Sequence, residues 1–165
     1  MVLRFSKYEG IGNDFIVVDS TEPLAARIGP IEAASMCDRH LGIGGDGVLL
    51  VGTRDGNPSM KVINADGSIP EMCGNGLRCV VLHLARTGRV TGGRVVVETD
   101  AGPHDCVVEL DGAEGMVEVA MRVPSLEPSV VPVVADAPLV DAALEVDGQI
   151  IHGTAVSMGN PHLVV

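Results

Sequence analysis

Glycine breaks the apolar stretches of this chain into short runs. The 165 residues include 21 glycines, which recur in small clusters between those runs. Because glycine suits tight turns and interrupts regular elements, the pattern predicts many short strands and few helices. Four predicted strands, each bounded by glycine, asparagine or aspartate, occupy residues 15–18, 48–51, 60–63 and 95–98.

Two hairpins are also predicted. Residues 106–110 and 116–121 flank a turn-forming segment at 111–115, and residues 144–146 and 149–151 flank Asp147-Gly148. An Asp-Gly pair favours the two-residue type I′ turn. The proline-rich segment 123–138 is predicted to be an edge strand or a connection, because proline lacks a backbone donor and disrupts helices.

Two segments predict helices. Pro30 can occupy the first turn of one, which carries a partial apolar stripe and extends to Leu41-Gly42. The stripe consists of Ile31, Ala34, Met36 and Cys37. The second pattern is clearer, since apolar residues from Leu77 to Ala85 recur every three or four positions and Gly88 suits the helix end. The resulting prediction is an α+β domain of mostly antiparallel strands around one central helix.

Charge and composition exclude several classes of partner. Acidic residues outnumber basic residues by 22 to 11, which gives a formal net charge of −11. Nucleic acids and anionic membranes bind basic surfaces, so neither is expected as a partner. No apolar run approaches the roughly 20 residues that a membrane span needs, and no secretory signal is evident, so a cytoplasmic location is expected. The four cysteines show no CxxC spacing, which argues against a metal site or a disulfide framework.

One segment places a nucleophile beside an anion-binding turn. Cys73 precedes Gly74, Asn75 and Gly76, which lead directly into the second predicted helix. The positive end of the helix dipole favours a thiolate, and the free N–H groups of the first turn can bind a carboxylate. Such an arrangement suits removal of the α-proton of an amino acid. The plainer interpretation is that Cys73 is a small apolar residue and that the glycines only shape a turn.

Four motifs together resemble the diaminopimelate epimerase family. They occur in the family's order and are KYEGIGNDF at 7–15, CDRH and GIGGDG within 37–47, NADGS and MCGNGLRC within 64–79, and GNPH at 159–162. The resemblance covers essentially the whole chain but only the first half of the family's architecture. It implies an N-terminal epimerase lobe over residues 1–165, with mixed, mostly antiparallel strands forming a barrel around a central helix.

The resemblance also implies an activity. The family interconverts LL- and meso-diaminopimelate for lysine and peptidoglycan precursor synthesis, without a cofactor or metal, by using two cysteines on opposite faces of one α-carbon. Cys73 matches the first of these cysteines, and His162 matches a residue that tunes cysteine protonation. The positions that match substrate contacts are Asn13, Asn64, Gly74, Asn75 and Asn160. The implied partners are an amino-acid substrate and a second epimerase lobe, in a dimer or hetero-oligomer.

Taken singly, some of these residues have plainer interpretations. Asn13 and Asn64 could form Asx turns, Asn160-Pro161 is an ordinary turn dipeptide, and a lone His162 is more often structural. Cys37, Cys79 and Cys106 receive no role. Only the order and number of the motifs outweigh these alternatives.

Three features leave other functions open. The family's second cysteine belongs to a C-terminal lobe absent from this chain, which ends on an apolar strand at 162–165, so we expect a truncated, cleaved or naturally split half-protein. Gly47 stands where some family members carry a substrate-contacting glutamine, and residues 120–122 depart from a common Asp-Met-Gly turn. The alternatives are a same-fold racemase or epimerase of another amino acid, including a split one, and a non-catalytic lobe that binds a carboxylate or a partner protein. Cys73 argues against a same-fold isomerase with an acidic base.

Overall fold

A computed structural model describes residues 2–91, 93–112 and 114–165. The chain divides into two compact units, Met1–Ala120 and Met121–Val165. Each unit has its own sheet. The expectation that residues 1–165 form one lobe stays a prediction.

The first unit is built on a seven-stranded mixed sheet. Its strands follow chain order across the sheet and are β1 (Ser6–Gly10), β2 (Asn13–Asp19), β3 (Gly47–Arg54), β4 (Asn57–Asn64), β5 (Gly93–Thr99), β6 (Gly102–Asp111) and β7 (Glu114–Val119). All neighbours pair antiparallel except β2 with β3 and β4 with β5, which are parallel. The four predicted strands lie within β2, β3, β4 and β5, and β6 with β7 forms the first predicted hairpin. Ala113, in the predicted turn at 111–115, lies outside the described residues.

The two helices occupy the parallel crossovers. α1 (Pro30–Cys37) connects β2 to β3, and α2 (Gly74–Arg86) connects β4 to β5. α2 packs against both edge strands of the sheet, β1 and β7, as well as against strands between them. The sheet therefore curls around α2, which confirms the prediction of mostly antiparallel strands around a central helix. A short 3₁₀ helix (Ala25–Arg27) precedes α1.

The core forms two clusters, one for each helix. Phe15 and Val17 join the cluster around α2, whereas Ile16 and Val18 join the cluster that includes α1 residues. Successive side chains of a strand point to opposite faces, so β2 is buried on both sides. This explains why its sequence is a continuous apolar run rather than an alternating one.

The predicted extent of the first helix is wrong. α1 begins at Pro30 as expected but ends at Cys37 instead of continuing to Leu41. The Asp38 carboxylate accepts the backbone N–H groups of His40 and Leu41, each at 2.7 Å, and this turn replaces the next helical hydrogen bonds. Ile31, which was assigned to the apolar stripe, is 82% exposed.

Two-residue turns set the register of several hairpins. Asp147 and Gly148 have φ of 51° and 74°, which confirms the predicted turn with both residues at positive φ. Asp55-Gly56 makes an equivalent turn between β3 and β4, and Ile11-Gly12 does so between β1 and β2. Ile11 is β-branched, so its φ of 52° is strained.

The second unit contains a three-stranded antiparallel sheet. Its order is β10 (Pro161–Val164), β9 (Gln149–Ser157) and β8 (Ala142–Val146), and β8 with β9 is the second predicted hairpin. Segment 123–138 is a connection that forms one isolated bridge, from Ser125 to Ser157. None of the helices in the described ranges has the length and apolar character needed to cross a bilayer.

Replacing Leu84 by alanine should lower the free energy of unfolding by about 2–5 kcal/mol. Leu84 is fully buried against the curled sheet, so truncation leaves a cavity in the core. Urea denaturation followed by circular dichroism measures the change. The matched control is Ile31→Ala on the exposed side of α1, which should stay within about 0.5 kcal/mol of the unchanged chain. Equal losses in both variants would contradict the burial of α2.

Candidate active site

Cys73 occupies the N-cap position of α2. Its Sγ accepts the backbone N–H of Gly76 at 3.4 Å, and its carbonyl oxygen accepts the N–H of Leu77 at 2.8 Å. Gly76 allows this geometry, because a Cβ there would lie 3.0 Å from the Leu49 side chain and 3.5 Å from the sulfur. The half-buried thiol is thus held at the positive end of the helix.

The turn at Cys73 leaves two backbone donors unused. The N–H groups of Gly76 and Leu77 are taken by Cys73, whereas those of Gly74 and Asn75 have no acceptor within the described ranges. Two such donors at a helix N-terminus can bind one carboxylate. An anion bound there would lie beside the Cys73 thiol.

Two of the predicted asparagines meet at this turn. Asn75 Nδ2 donates to Asn13 Oδ1 at 2.6 Å, and Arg78 donates to Asn75 Oδ1. Asn13 Nδ2 donates in turn to Asp46 Oδ2 at 3.2 Å. The start of β2, the start of α2 and the loop before β3 are therefore joined by one chain of hydrogen bonds.

Positively charged side chains contact the carboxylates at the Asp46 end of these hydrogen bonds. Arg39 contacts Asp46 Oδ1 at 2.8 Å and Asp14 Oδ1 at 2.5 Å, and Lys7 contacts Asp14 Oδ2 at 2.6 Å. The hydrogen bonds from Arg39 and then Lys7 hold the pKa of Asp14 well below its usual range. The carboxylates of Asp14 and Asp46 are therefore each paired with a cation.

Asn64 lies at the end of β4, opposite Gly47. Its Nδ2 donates to the Ser68 hydroxyl at 2.9 Å, and its backbone N–H donates to the Ser68 carbonyl at 2.9 Å. The loop is linked to the Asp46 region, since Ala65 N–H donates to the Asp46 carbonyl at 3.1 Å. These contacts accord with a turn-forming asparagine, and a substrate contact for Asn64 stays a prediction.

The other two predicted residues belong to the second unit. Asn160 Oδ1 and His162 Nε2 are 3.0 Å apart, and both residues are exposed. The two predicted side chains therefore contact one another. Their roles in substrate binding and in cysteine protonation stay predictions.

The remaining cysteines are in different surroundings from Cys73. Cys37, Cys79 and Cys106 are buried, and all four thiols are free. Burial raises the pKa of Cys79 and of Cys106 to about 11, and it also raises the pKa of Cys37. Cys73 is the only cysteine of the four that is not fully buried.

Sequence reasoning assigned no role to Asp46, Arg39 or Arg78, although all three lie in the quoted motifs. The signal for Arg78 was available, because it follows Asn75 by three positions on a helix and such residues are neighbours. Asp46 contacts Asn13 from 33 residues away along the chain, and Arg39 contacts Asp14 from 25 residues away. Local spacing does not predict either contact.

Alkylation should distinguish Cys73 from the other cysteines. With iodoacetamide at pH 8, we expect the folded protein to be modified at Cys73, while Cys79 and Cys106 stay unmodified until denaturant is added. A pKa of about 11 keeps the latter two almost wholly protonated at pH 8, and their thiolates increase only as the pH rises towards 11. Peptide mass spectrometry reads out each site. Equally fast modification of Cys79 or Cys106 in the folded state would contradict their burial.

Comparisons with known proteins agree with the motifs. The family model for diaminopimelate epimerase matches residues 5–126. The diaminopimelate epimerase of Leptospira biflexa is 41% identical over 170 residues, covering 100% of this chain and 60% of that protein. The diaminopimelate epimerase of Trichodesmium erythraeum is 42% identical over 169 residues, covering 99% of this chain and 60% of that protein. The chain thus spans about 60% of the length of these curated relatives.

The fold has counterparts among solved structures. A hydroxyproline epimerase from Agrobacterium vitis aligns with a TM-score of 0.66 and 13% identity, covering 93% of this chain and 48% of that one. At this identity the likeness concerns the fold alone. The family model, in contrast, spans the segments that carry Asn13, Asp46, Cys73 and Asn75. Since it matches most of the chain, and relatives at about 40% identity align along its whole length, the chain belongs to the diaminopimelate epimerase family.

Proposed function

We propose that this chain supplies the first half of an active site that interconverts LL- and meso-diaminopimelate. The observation that carries the proposal is the Cys73 thiol at the start of α2, beside the unused N–H groups of Gly74 and Asn75. Membership of the diaminopimelate epimerase family supports this choice of substrate.

The first step is binding of the substrate α-carboxylate. The N–H groups of Gly74 and Asn75 donate to its oxygens, and the helix dipole favours its negative charge. Charge repulsion is limited, because the neighbouring carboxylates of Asp14 and Asp46 are paired with Lys7 and Arg39. The α-carbon is thereby held close to Cys73.

The second step is proton transfer. The Cys73 thiolate removes the α-proton, so that the C–H bond breaks, an S–H bond forms and the electron pair remains on the α-carbon. That charge spreads into the carboxylate, where the same backbone donors stabilise it. A proton from a second acid on the opposite face then gives the inverted centre. The reverse reaction exchanges the two roles.

The second acid is, in this proposal, a cysteine from a second epimerase lobe. The chain spans about 60% of its curated relatives, so such a lobe would be the rest of a longer chain or a separate polypeptide in a dimer or hetero-oligomer. Asn13, Asn64 and Asn160 would bind the polar ends of the substrate, and His162 would adjust cysteine protonation. A cytoplasmic location also stays a prediction.

One observation favours a second candidate, a same-fold racemase or epimerase of another amino acid. A Cβ at Gly47 would lie 2.9 Å from the backbone carbonyl oxygen of Ile63, so this backbone has no room for a side chain there. The substrate contact that the family resemblance implies for a glutamine at this position is then either lost or made by another group. Comparing diaminopimelate with proline and glutamate as substrates would distinguish the two candidates.

The proposal predicts α-proton exchange that depends on Cys73. LL-diaminopimelate in D2O is incubated with this chain, alone and together with the separately expressed C-terminal part of the Leptospira biflexa relative, and proton NMR follows loss of the α-proton signal. Cys73→Ala should slow exchange by about 10²–10⁴-fold, because the general base is removed. Cys37→Ala, which changes a buried cysteine on α1, should stay within about twofold of the unchanged chain.

The stereochemical outcome separates the parts of the proposal. Exchange without inversion by this chain alone, and inversion once the second part is added, is the expected result. Exchange that persists in Cys73→Ala would contradict the role of Cys73. Exchange of another amino acid but not of diaminopimelate would favour the second candidate.

A further inference from the structure

Asn13 uses both ends of its side-chain amide within the protein. Its Nδ2 donates to Asp46 Oδ2 at 3.2 Å, and its Oδ1 accepts from Asn75 Nδ2 at 2.6 Å. An amide turned by half a rotation has nearly the same shape but exchanges its donor and its acceptor. The hydrogen-bond partners of Asn13 therefore determine which side of the amide carries Nδ2 and which carries Oδ1.

At each end of this series of hydrogen bonds, the group that donates and the group that accepts are fixed. A carboxylate only accepts, and Asp46 Oδ2 already faces a second donor, the Asp14 backbone N–H at 3.0 Å. At the other end the Arg78 guanidinium only donates, and it donates to Asn75 Oδ1. Asn75 must then direct its Nδ2 towards Asn13, and Asn13 must direct its Nδ2 towards Asp46.

The reversed arrangement is doubly unfavourable. It would put Asn13 Oδ1 against the Asp46 carboxylate and Asn13 Nδ2 against the Nδ2 of Asn75. One acceptor would then face another acceptor, and one donor would face another donor, in a partly buried position. Arg39 helps to fix the carboxylate itself, since it contacts Asp46 Oδ1 at 2.8 Å.

We propose that Asp46 is a positioning residue that fixes the amide orientation of Asn13 for substrate binding. Asn13 keeps one N–H and one oxygen lone pair beyond its two protein contacts, and Asp46, together with Asn75, sets the direction in which each is presented. Asp46 acts through Asn13 and need not touch the substrate. The inference rests on the proposed function, in which Asn13 contacts the substrate.

The test compares Asp46→Asn with Asp38→Asn. Asparagine at position 46 has almost the same shape as aspartate but can donate, so one of the two interactions that hold the Asn13 amide in its orientation is weakened, and only the contact with Asn75 remains. Asp38 lies in the same loop and accepts two backbone N–H groups, a role that an asparagine oxygen retains in part. Two quantities are measured: the Asn13 side-chain amide signals in ¹⁵N NMR spectra, and the dissociation constant for LL-diaminopimelate.

We expect Asp46→Asn to move both Asn13 amide-proton signals and to weaken LL-diaminopimelate binding about tenfold, as for loss of a hydrogen bond to a charged group. In an Asn13→Ala background the same change should weaken binding by less than about twofold, because Asp46 acts through Asn13. Asp38→Asn should change neither quantity. An equal loss of affinity in both backgrounds, or unmoved Asn13 signals, would overturn the inference.

Two further measurements keep the inference separable from folding and from the proposed function. In the unchanged chain, the Asn13 amide protons and the Asp14 backbone proton converge on one oxygen, so a nuclear Overhauser effect should connect them; its absence would overturn the inference even if Asp46→Asn does not fold. Failure of the unchanged chain to bind LL-diaminopimelate would instead reject the proposed function, while the amide signals still decide the orientation of Asn13.

Discussion

Burial of α2 inside the curled sheet is the interaction on which the candidate site depends. Leu77, Val80 and Leu84 are completely buried, and each contributes about 1.5–3 kcal/mol when removed from water. Rotating α2 about its axis would expose these side chains together, because residues three and four apart lie on one face of a helix. The position of Cys73 at the start of the helix is therefore set by apolar packing along the rest of it, away from the reacting atoms.

The polar part of the site limits electrostatic repulsion between the acidic protein and a substrate carboxylate. The chain has a formal net charge of −11, yet the proposed substrate binds through a carboxylate. Two neutral amides, Asn13 and Asn75, lie nearest the helix start, and the carboxylates behind them are paired with Arg39 and Lys7. Local pairing thus allows anion binding on a protein that is acidic overall.

Much of this arrangement could be predicted from the sequence where short-range patterns determine it. The period of the apolar residues in α2 and the Asp147-Gly148 turn are local signals, and both predictions are confirmed. The end of α1 was mispredicted because Asp38 forms its own turn, a side-chain choice that apolar periodicity does not reveal. Strand β1 was not predicted, since its charged residues and the absence of a fully buried one hide its alternation.

In the candidate site too, features set by neighbouring residues could be predicted, whereas contacts between distant residues could not. Cys73 and the donors after it follow from one helix start, so the sequence alone could place them together. The contact between Asn13 and Asn75 joins residues 62 positions apart, and only the folded sheet brings them within hydrogen-bonding distance. Asp46 was overlooked for the same reason, because its contact with Asn13 depends on the parallel pairing of β2 with β3.

The two parallel pairings have a consequence for the order of folding. The β1–β2 and β3–β4 hairpins close through two-residue turns, so they can form early from neighbouring segments. The pairings of β2 with β3 and of β4 with β5 must wait for longer crossovers, each containing a helix, to be closed at an entropic cost. Asn13 begins β2 and Asp46 immediately precedes β3, so their contact depends on the first of these two parallel pairings. The hairpins can therefore be complete while Asn13 and Asp46 are still apart, so formation of their hydrogen bond would report a late step of folding rather than the first.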